Sequence, residues 1–285
     1  MTPDLRKIGR AFGIDGDLTD GAPHGNGHIN DTYLTRWIDG GSVTCWILQR
    51  INHNVFKDPP KVMDNIAGIS AHIRRKLEAE GVSDIDRRVL TCRPAADGRY
   101  FHRDEEDNYW RVYNFIAGAT SHNVCTGPQL AYETARAFGN FQMLLADYPA
   151  ASLHETIPWF HHTPRRFAAL EEAIALDRSN RALPAKPEID FAMDRKDMTG
   201  TVTDLLAQGK ILPHVTHNDT KMNNVMIDDE TGRGICVIDL DTVMPGSILY
   251  DVGDLVRTST ITAAEDERDL SKVTMDISRF DAIIR

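Results

Sequence analysis

Short runs of β-branched and aromatic residues alternate with turn residues along the first third of the chain. Residues 32–37 and 43–48 are two such runs, and a polar cluster with two glycines at 39–42 separates them. This pattern predicts a β-hairpin. Further runs of the same kind predict strands at 89–91, 99–101 and 109–116.

The spacing of apolar residues changes after Pro59 and Pro60. Five apolar residues then recur at steps of four, three, four and four, which is one face of an α-helix: Val62, Ile66, Ile69, Ile73 and Leu77. We expect this helix to end near Gly81.

Helical spacing dominates the rest of the chain. Apolar stripes predict a helix after Pro128, another over 167–176 and largely helical structure over 188–208. Residues 225–227 and 235–238 flank a turn-rich stretch, and they predict a second hairpin.

The chain has 285 residues, enough for about two domains or lobes. The change from strand to helix patterns places the division near 117–119. We therefore expect a mostly β lobe at 1–116 and a mostly α lobe at 117–285.

Charge and composition exclude several functional classes. Lys and Arg total 32 and Asp and Glu total 42, which leaves a formal net charge of −10. An acidic chain is a poor general binder of nucleic acid, because phosphate backbones attract Lys and Arg. No apolar run approaches the roughly 18 residues of a membrane-spanning helix, and residues 1–10 lack the apolar centre of a secretory signal. We expect a cytoplasmic protein that binds neither nucleic acid nor a membrane.

The polar loop at 217–224 carries the strongest chemical signal. Asp219 and Asn224 lie five residues apart, and Asp239 follows at the end of a predicted strand. Phosphoryl transfer from ATP uses one Asp to orient and deprotonate the acceptor hydroxyl, and an Asn and a second Asp to hold Mg²⁺. Each residue alone also has a structural explanation, because Asp and Asn often cap helices and turns. The spaced set favours catalysis.

A glycine-containing stretch at 24–33 has two explanations. Small residues let backbone N–H groups approach phosphate oxygens, so Gly25, Asn26 and Gly27 are candidates for nucleotide contact. A simple hairpin turn accounts for the same residues. The chain has no Walker A sequence.

Together these segments resemble the aminoglycoside phosphotransferase and choline kinase superfamily, and more narrowly the bacterial N-acetylhexosamine 1-kinases. The resemblance is spread over almost the whole chain. It is carried by residues 25–34, 46–52, 109–116, 156–167, 187–191, 215–224, 238–246 and 251–254.

The resemblance implies an α+β, protein-kinase-like, two-lobed fold with an antiparallel β N-lobe and a mainly helical C-lobe. It implies ATP- and Mg²⁺-dependent phosphorylation of the anomeric 1-hydroxyl of N-acetylglucosamine or N-acetylgalactosamine, which gives the sugar 1-phosphate. Asp219 would be the catalytic base, and Asn224 and Asp239 the metal ligands. The sugar would contact His28, Asp219, Asp239, Thr242 and Met244. The nucleotide would contact Gly25, Asn26, Gly27, Arg50, Phe115 and Ile116.

The chain departs from the protein-kinase pattern at the third strand. Protein kinases place a phosphate-binding Lys there, whereas this chain has Gln49 and Arg50. Only one of these neighbours can face the nucleotide, because adjacent side chains of a strand point to opposite faces. Relatives also continue for several helices beyond residue 285, so we expect a truncated chain.

Other assignments remain open at this point. The same loop would serve a kinase for an aminoglycoside, homoserine or an amino alcohol, or a nucleotide-binding module without turnover. Asp251 and Asp254 are candidates for bracing the catalytic loop or for chemistry. Lys221 is a candidate for neutralising phosphate or for a solvated cation.

Overall fold

The computed structural model describes residues 3–25, 29–263 and 267–285. Its first half is built around one antiparallel sheet. The strands of this sheet are, in chain order, β1 (Asp17–Pro23), β2 (Asp31–Asp39), β3 (Ser42–Ile51), β4 (His102–Arg103) and β5 (Tyr109–Asn114). Their order in space is β1-β2-β3-β5-β4, so β3 is central and β5 is its neighbour. The predicted first hairpin is confirmed as β2 and β3.

Helices cover both faces of this sheet. They are α1 (Leu5–Ala11), α2 (Pro59–Ala79) and the single turn α3 (Ile85–Arg88). Helix α2 confirms the prediction of a helix that starts at the two prolines. Because side chains of a strand alternate between faces, Trp110 and Val112 of β5 pack with α1, whereas Tyr113 packs with α2.

Two predicted strands do not form. Residues 89–91 and 99–101 are irregular in the structure, and Cys92 makes an isolated bridge to Tyr113. Pro94 follows closely, and a proline cannot donate to a strand ladder. Thr91 and Arg93 each exchange one backbone hydrogen bond with β5, at 3.2 and 2.8 Å, but this pairing is too short to form a strand, so the prediction of a strand at 89–91 was wrong.

The second half of the chain is mainly helical. Its helices are α4 (Pro128–Leu144), α5 (Thr163–Leu176), α6 (Lys186–Met193), α7 (Thr201–Ala207), α8 (Ile248–Thr260) and α9 (Ile277–Ile284). Helices α4 and α5 confirm two predictions. The predicted helical region 188–208 is split, because a 3-10 turn at Lys196–Met198 and Gly200 separate α6 from α7. Within the described ranges, no helix is long and apolar enough to cross a membrane.

Short strands in this half set the origin of two loops. They are β6 (Ala119–Thr120), β7 (His214–Thr216), β8 (Val225–Asp228), β9 (Gly234–Val237) and β10 (Met244–Gly246). Strands β8 and β9 confirm the predicted second hairpin. Strand β7 pairs with β10, with Thr216 opposite Met244. The beginning of the loop that follows β7 therefore lies beside the end of the segment that precedes β10.

Asp251 of α8 holds the loop after β7 in place. Its carboxylate accepts hydrogen bonds from the backbone N–H groups of His217 at 2.9 Å and Asn218 at 2.8 Å, and from the side chain of Gln142 at 2.6 Å. Its backbone oxygen accepts from the Thr220 hydroxyl at 2.6 Å. Burial raises the pKa of Asp251, while the donors oppose that rise. These contacts support the interpretation that Asp251 braces the loop after β7.

We expect Asp251→Asn to lower the free energy of unfolding by about 1–3 kcal/mol, because an amide offers only one acceptor oxygen to donors that are buried. The matched control is Asp190→Asn on α6, where the carboxylate pairs with Lys186 of the same helix and both side chains are more than half exposed. Such a pair contributes less than about 1 kcal/mol. Urea unfolding of both variants would measure the difference, and equal losses would contradict the bracing role.

Candidate active site

Asp219 and Asn224 meet in the loop that follows β7. The Asn224 side-chain nitrogen Nδ2 donates to the backbone oxygen of Asp219 at 2.8 Å and to its carboxylate Oδ2 at 3.1 Å. Asn224 is buried, whereas 32% of the Asp219 side chain is exposed. The five-residue spacing thus becomes a direct contact, and the carboxylate of Asp219 remains accessible to an incoming molecule.

Asp239 lies beside this pair. The N–H of the preceding residue donates to the backbone oxygen of Asn224 at 2.9 Å. Asp239 itself has a left-handed backbone, with φ 56° and ψ 60°. It is open to water, yet crowding by surrounding protein, followed by repulsion from Asp241 and to a lesser extent from Asp219, raises its pKa to about 6. Its carboxylate is therefore in a crowded, acidic cleft.

The side chains of Asn224 and Asp239 carry oxygen atoms of the kind that a magnesium ion takes when it binds together with a nucleotide. Because Nδ2 of Asn224 bonds to Asp219, the amide oxygen Oδ1 is turned away from that carboxylate. In the part of the chain that is described, no group of three or more His, Cys, Asp or Glu residues is placed to hold a metal. Mg²⁺ does not require one, since it commonly uses one or two protein oxygens together with water and phosphate oxygens.

A buried ion pair joins the sheet to the segment that carries Asp239. Both the Arg111 side chain on β5 and the Asp241 side chain are almost completely buried, at 1% and 2% exposure. The guanidinium Nη1 and Nη2 both donate to the Asp241 carboxylate, the latter at 2.8 Å. Its Nε and Nη2 also donate to the side-chain oxygen of Gln49 on β3, at 2.8 and 2.6 Å.

The two described ends of the glycine-containing loop reach different parts of the cleft. At one end, the ring of His24 contacts Phe115 edge-on, with centroids 6.1 Å apart. At the other end, Asn30 Nδ2 donates to the Asp241 carboxylate at 2.7 Å. Gly25 has φ +79° and open space where a Cβ would stand. The described ends of the loop therefore lie beside the segment that directly follows β5 and beside the Asp241 carboxylate.

Three residues of the predicted site, Asn26, Gly27 and His28, lie outside the described residues. Phe115 is half-buried and Ile116 is buried in the core, both directly after β5. They belong to the segment between β5, which ends at Asn114, and β6, which starts at Ala119; we call this segment, residues 115–118, the connector.

Arg50 and Gln49 face opposite sides of the sheet. Arg50 pairs with Asp31 of β2 and is 40% exposed. The residue opposite Arg50 on β5 is Trp110, which packs in the core under α1. Gln49, in contrast, bonds to Arg111 toward the cleft. The structure thus does not bring Arg50 together with the other candidate residues.

Thr242 and Met244 lie next to the loop that carries Asp219. The Thr242 hydroxyl donates to the backbone oxygen of His217 at 2.6 Å, and its backbone oxygen accepts from the Asn218 side chain at 2.8 Å. Met244 is buried, and its sulfur accepts from the N–H of Ile157 at 3.3 Å.

Sequence analysis missed several neighbours of these residues. Arg111 and Asp241 are the main ones, and a charge within an otherwise apolar and aromatic strand was the available signal for Arg111. His161 was another: its Nε2 lies 3.2 Å from the backbone oxygen of Asn218, and its ring stacks on Tyr250 at 4.9 Å. Lys221, in contrast, was already a candidate from the sequence, and its Nζ lies 3.8 Å from Asp219 Oδ1.

Solved structures are similar to this chain at low sequence identity. An aminoglycoside phosphotransferase from Alicyclobacillus acidocaldarius superimposes with a TM-score of 0.59 at 13% identity, over 99% of this chain and 77% of its own. An aminoglycoside-3'-phosphotransferase of type VIII gives a TM-score of 0.49 at 16% identity, over 99% and 88% of the two chains. A choline kinase from Cryptosporidium parvum gives 0.49 at 12% identity, over 99% and 74%. The predicted two-lobed, protein-kinase-like fold is confirmed.

The sequence itself matches a known family over most of its length. Residues 20–272 match the phosphotransferase enzyme family, abbreviated APH. This range contains the glycine-containing loop before β2 and the candidate residues Asp219, Asn224 and Asp239. The chain therefore belongs to the phosphotransferase enzyme family.

Proposed function

We propose that this protein is an ATP- and Mg²⁺-dependent kinase that phosphorylates the anomeric 1-hydroxyl of N-acetylglucosamine or N-acetylgalactosamine. One observation carries the proposal: the accessible Asp219 carboxylate is bonded to Asn224, and Asp239 lies beside them. This is the set of groups that a phosphoryl transfer to an alcohol requires. The likeness to solved structures supports the fold, and the family supports phosphotransfer.

Asp219 would act on the acceptor hydroxyl. Its bond to Asn224 fixes the orientation of the carboxylate, and the exposed part of the side chain can accept the hydroxyl proton. An anomeric hydroxyl is a stronger acid than an ordinary alcohol, so a carboxylate can take its proton as the new phosphoryl bond forms. Most of the remaining rate enhancement would come from alignment of the hydroxyl with the γ-phosphate.

Asn224 and Asp239 would hold the magnesium ion through the amide oxygen and the carboxylate. When bound, Mg²⁺ neutralises charge on the phosphate oxygens during transfer. The protein would provide negative charge at this site. Burial raises the pKa of the Asp239 carboxylate, and Asp241 and Asp219 are close enough to raise it further by repulsion.

The N-lobe, residues 1–116, would bind ATP, and the C-lobe, residues 117–285, would supply catalysis. Backbone groups at Phe115 and Ile116 would bond the adenine, and Gly25, Asn26 and Gly27 would cover the phosphates. The contact of His24 with Phe115 supports this, because it puts the start of the loop over the connector. Arg50 is left out of the proposal, since it faces the other side of the sheet. Dependence on ATP would suit a cytoplasmic enzyme.

The sugar would contact Thr242 and Met244, and the resemblance assigns a further sugar contact to His28, which lies outside the described residues. The two segments that most closely resemble N-acetylhexosamine 1-kinases are 215–224 and 238–246. Parts of them pair as β7 and β10, and the Thr242 hydroxyl donates to the backbone oxygen of His217, two residues before Asp219. This pairing supports an acceptor that both segments contact.

We expect purified protein to release ADP when ATP, Mg²⁺ and an N-acetylhexosamine are all present, because the proposed site joins these three components. A coupled ADP-release screen would compare N-acetylglucosamine and N-acetylgalactosamine with kanamycin, choline and homoserine. Phosphorus NMR of the product would locate the phosphate at the 1-position. Turnover with kanamycin or choline but with neither sugar would contradict the sugar assignment. ATP binding without turnover of any acceptor would contradict the kinase assignment.

We expect Asp219→Asn to lower kcat by about 10²–10⁴-fold, because an amide cannot accept the hydroxyl proton. Nucleotide binding should change little, since Asp219 serves the acceptor. Asp229→Asn, on the exposed turn after β8, is the matched control and should retain wild-type turnover. Near-wild-type kcat in a folded Asp219→Asn variant would contradict the assigned base.

A further inference from the structure

The guanidinium of Arg111 is fully engaged within the protein. Its Nε donates to Gln49, its Nη1 to Asp241, and its Nη2 to both. The residue is 1% exposed. Gln49 in turn donates to the Thr32 hydroxyl at 2.7 Å. Arg111 is therefore oriented by β3 on one side and by Asp241 on the other, and it has no exposed surface to offer to a phosphate.

The Asp241 carboxylate connects this cation to the proposed metal ligand. Asp241 belongs to the 3-10 turn Leu240–Thr242, which begins directly after Asp239. Leu240 is buried in the core, so the turn is fixed on that side by packing. Arg111 fixes the other side through two donors to one carboxylate. The backbone that sets the position of Asp239 is thereby held between the core and the sheet.

Asn30 adds a second connection from the sheet. Its side-chain nitrogen donates to Asp241 at 2.7 Å, and its side-chain oxygen accepts from the N–H of Asn52 at 2.9 Å. Asn30 lies directly before β2, at the end of the glycine-containing loop. A shift of Asp241 would therefore also move the end of that loop.

We propose that Arg111 is a positioning residue that fixes Asp239 for Mg²⁺, and that Asn30, directly before β2, supports the same position through Asp241. This inference rests on the proposed function, because it concerns the same metal site. The third strand has Gln49 on the face where protein kinases have a lysine, and the cation here is Arg111 on the neighbouring strand. This cation orients the Asp241 carboxylate within the protein. The planar, forked guanidinium suits this role, since a lysine ammonium cannot donate in the same two-pronged way.

The test measures how strongly Mg²⁺ promotes binding of ADP, which is a readout separate from turnover. Isothermal titration calorimetry would follow ADP binding in EDTA and in a series of MgCl₂ concentrations. We expect Arg111→Lys to weaken the apparent Mg²⁺ affinity about 10–100-fold, as for the loss of groups that orient a metal ligand. ADP binding in EDTA should stay close to wild type.

The matched control is Arg87→Lys. Arg87 also pairs with an aspartate across the two lobes, Asp228, at 2.7 Å, and it donates to two connector carbonyl groups. It does not contact the turn that follows Asp239. Its replacement should leave the Mg²⁺ dependence of ADP binding unchanged, whatever it does to stability. An equal loss of Mg²⁺ affinity in Arg87→Lys would show a general effect of weakened lobe contacts and would overturn the positioning role.

Asp239→Asn separates failure of this inference from failure of the proposed metal site. If Asp239→Asn retains the Mg²⁺ effect, the metal site itself is wrong, and the inference falls with it. If Asp239→Asn loses the effect while Arg111→Lys retains it, the metal site stands and the positioning role is overturned.

Asn30→Ala decides the matter if Arg111→Lys does not fold. Asn30 is only half-buried, so its truncation leaves the buried ion pair intact. We expect a larger loss of Mg²⁺ affinity in Asn30→Ala than in Arg87→Lys. Wild-type Mg²⁺ dependence in a folded Asn30→Ala variant would overturn the supporting role of Asn30.

Discussion

Carboxylates that are held close together repel one another, and this constraint shapes the centre of the molecule. Asp219, Asp239 and Asp241 lie close together: burial first, and then repulsion from Asp241 and Asp219, raises the pKa of Asp239. The protein offsets this repulsion with the buried guanidinium of Arg111 and with the amide of Asn224. Without these donors the three acids would separate or take up protons, and no anionic site for a metal would remain.

The fold places those donors by simple means. Strand β5 turns Arg111 toward the cleft and Trp110 away from it, because its side chains alternate. The pairing of β7 with β10 starts the two acidic segments side by side. Asp251 of α8 then holds the first segment through its backbone N–H groups. The loop with Asp219 is thus held from α8, and the turn with Asp241 is held from β5. The site lies where these elements meet.

Sequence patterns predicted the parts of the fold that depend on local spacing. The β2–β3 hairpin, helix α2 and the β8–β9 hairpin follow from periodicity and turn residues. Strand β1 gave no such signal, because nearly all of its residues are exposed and it lacks apolar alternation. The interruption between α6 and α7 was also missed, since Gly200 is the only glycine or proline within it.

The same limit applies to the candidate site. The contact of Asn224 with Asp219 spans five residues, so spacing alone indicated it. The contact of Arg111 with Asp241 spans 130 residues, and only the folded sheet brings them together. The choice between Gln49 and Arg50 likewise needed the strand register, which spacing could not supply.

The central claim is that Asn224 and Asp239 form one metal site next to Asp219. Anomalous diffraction from crystals soaked with Mn²⁺ and ADP tests it most directly, because Mn²⁺ replaces Mg²⁺ and can be located by its own signal. The account predicts one strong peak within coordination distance of Asn224 Oδ1 and the Asp239 carboxylate, in contact with a phosphate of ADP. A peak elsewhere, with ADP bound away from these two residues, would contradict it.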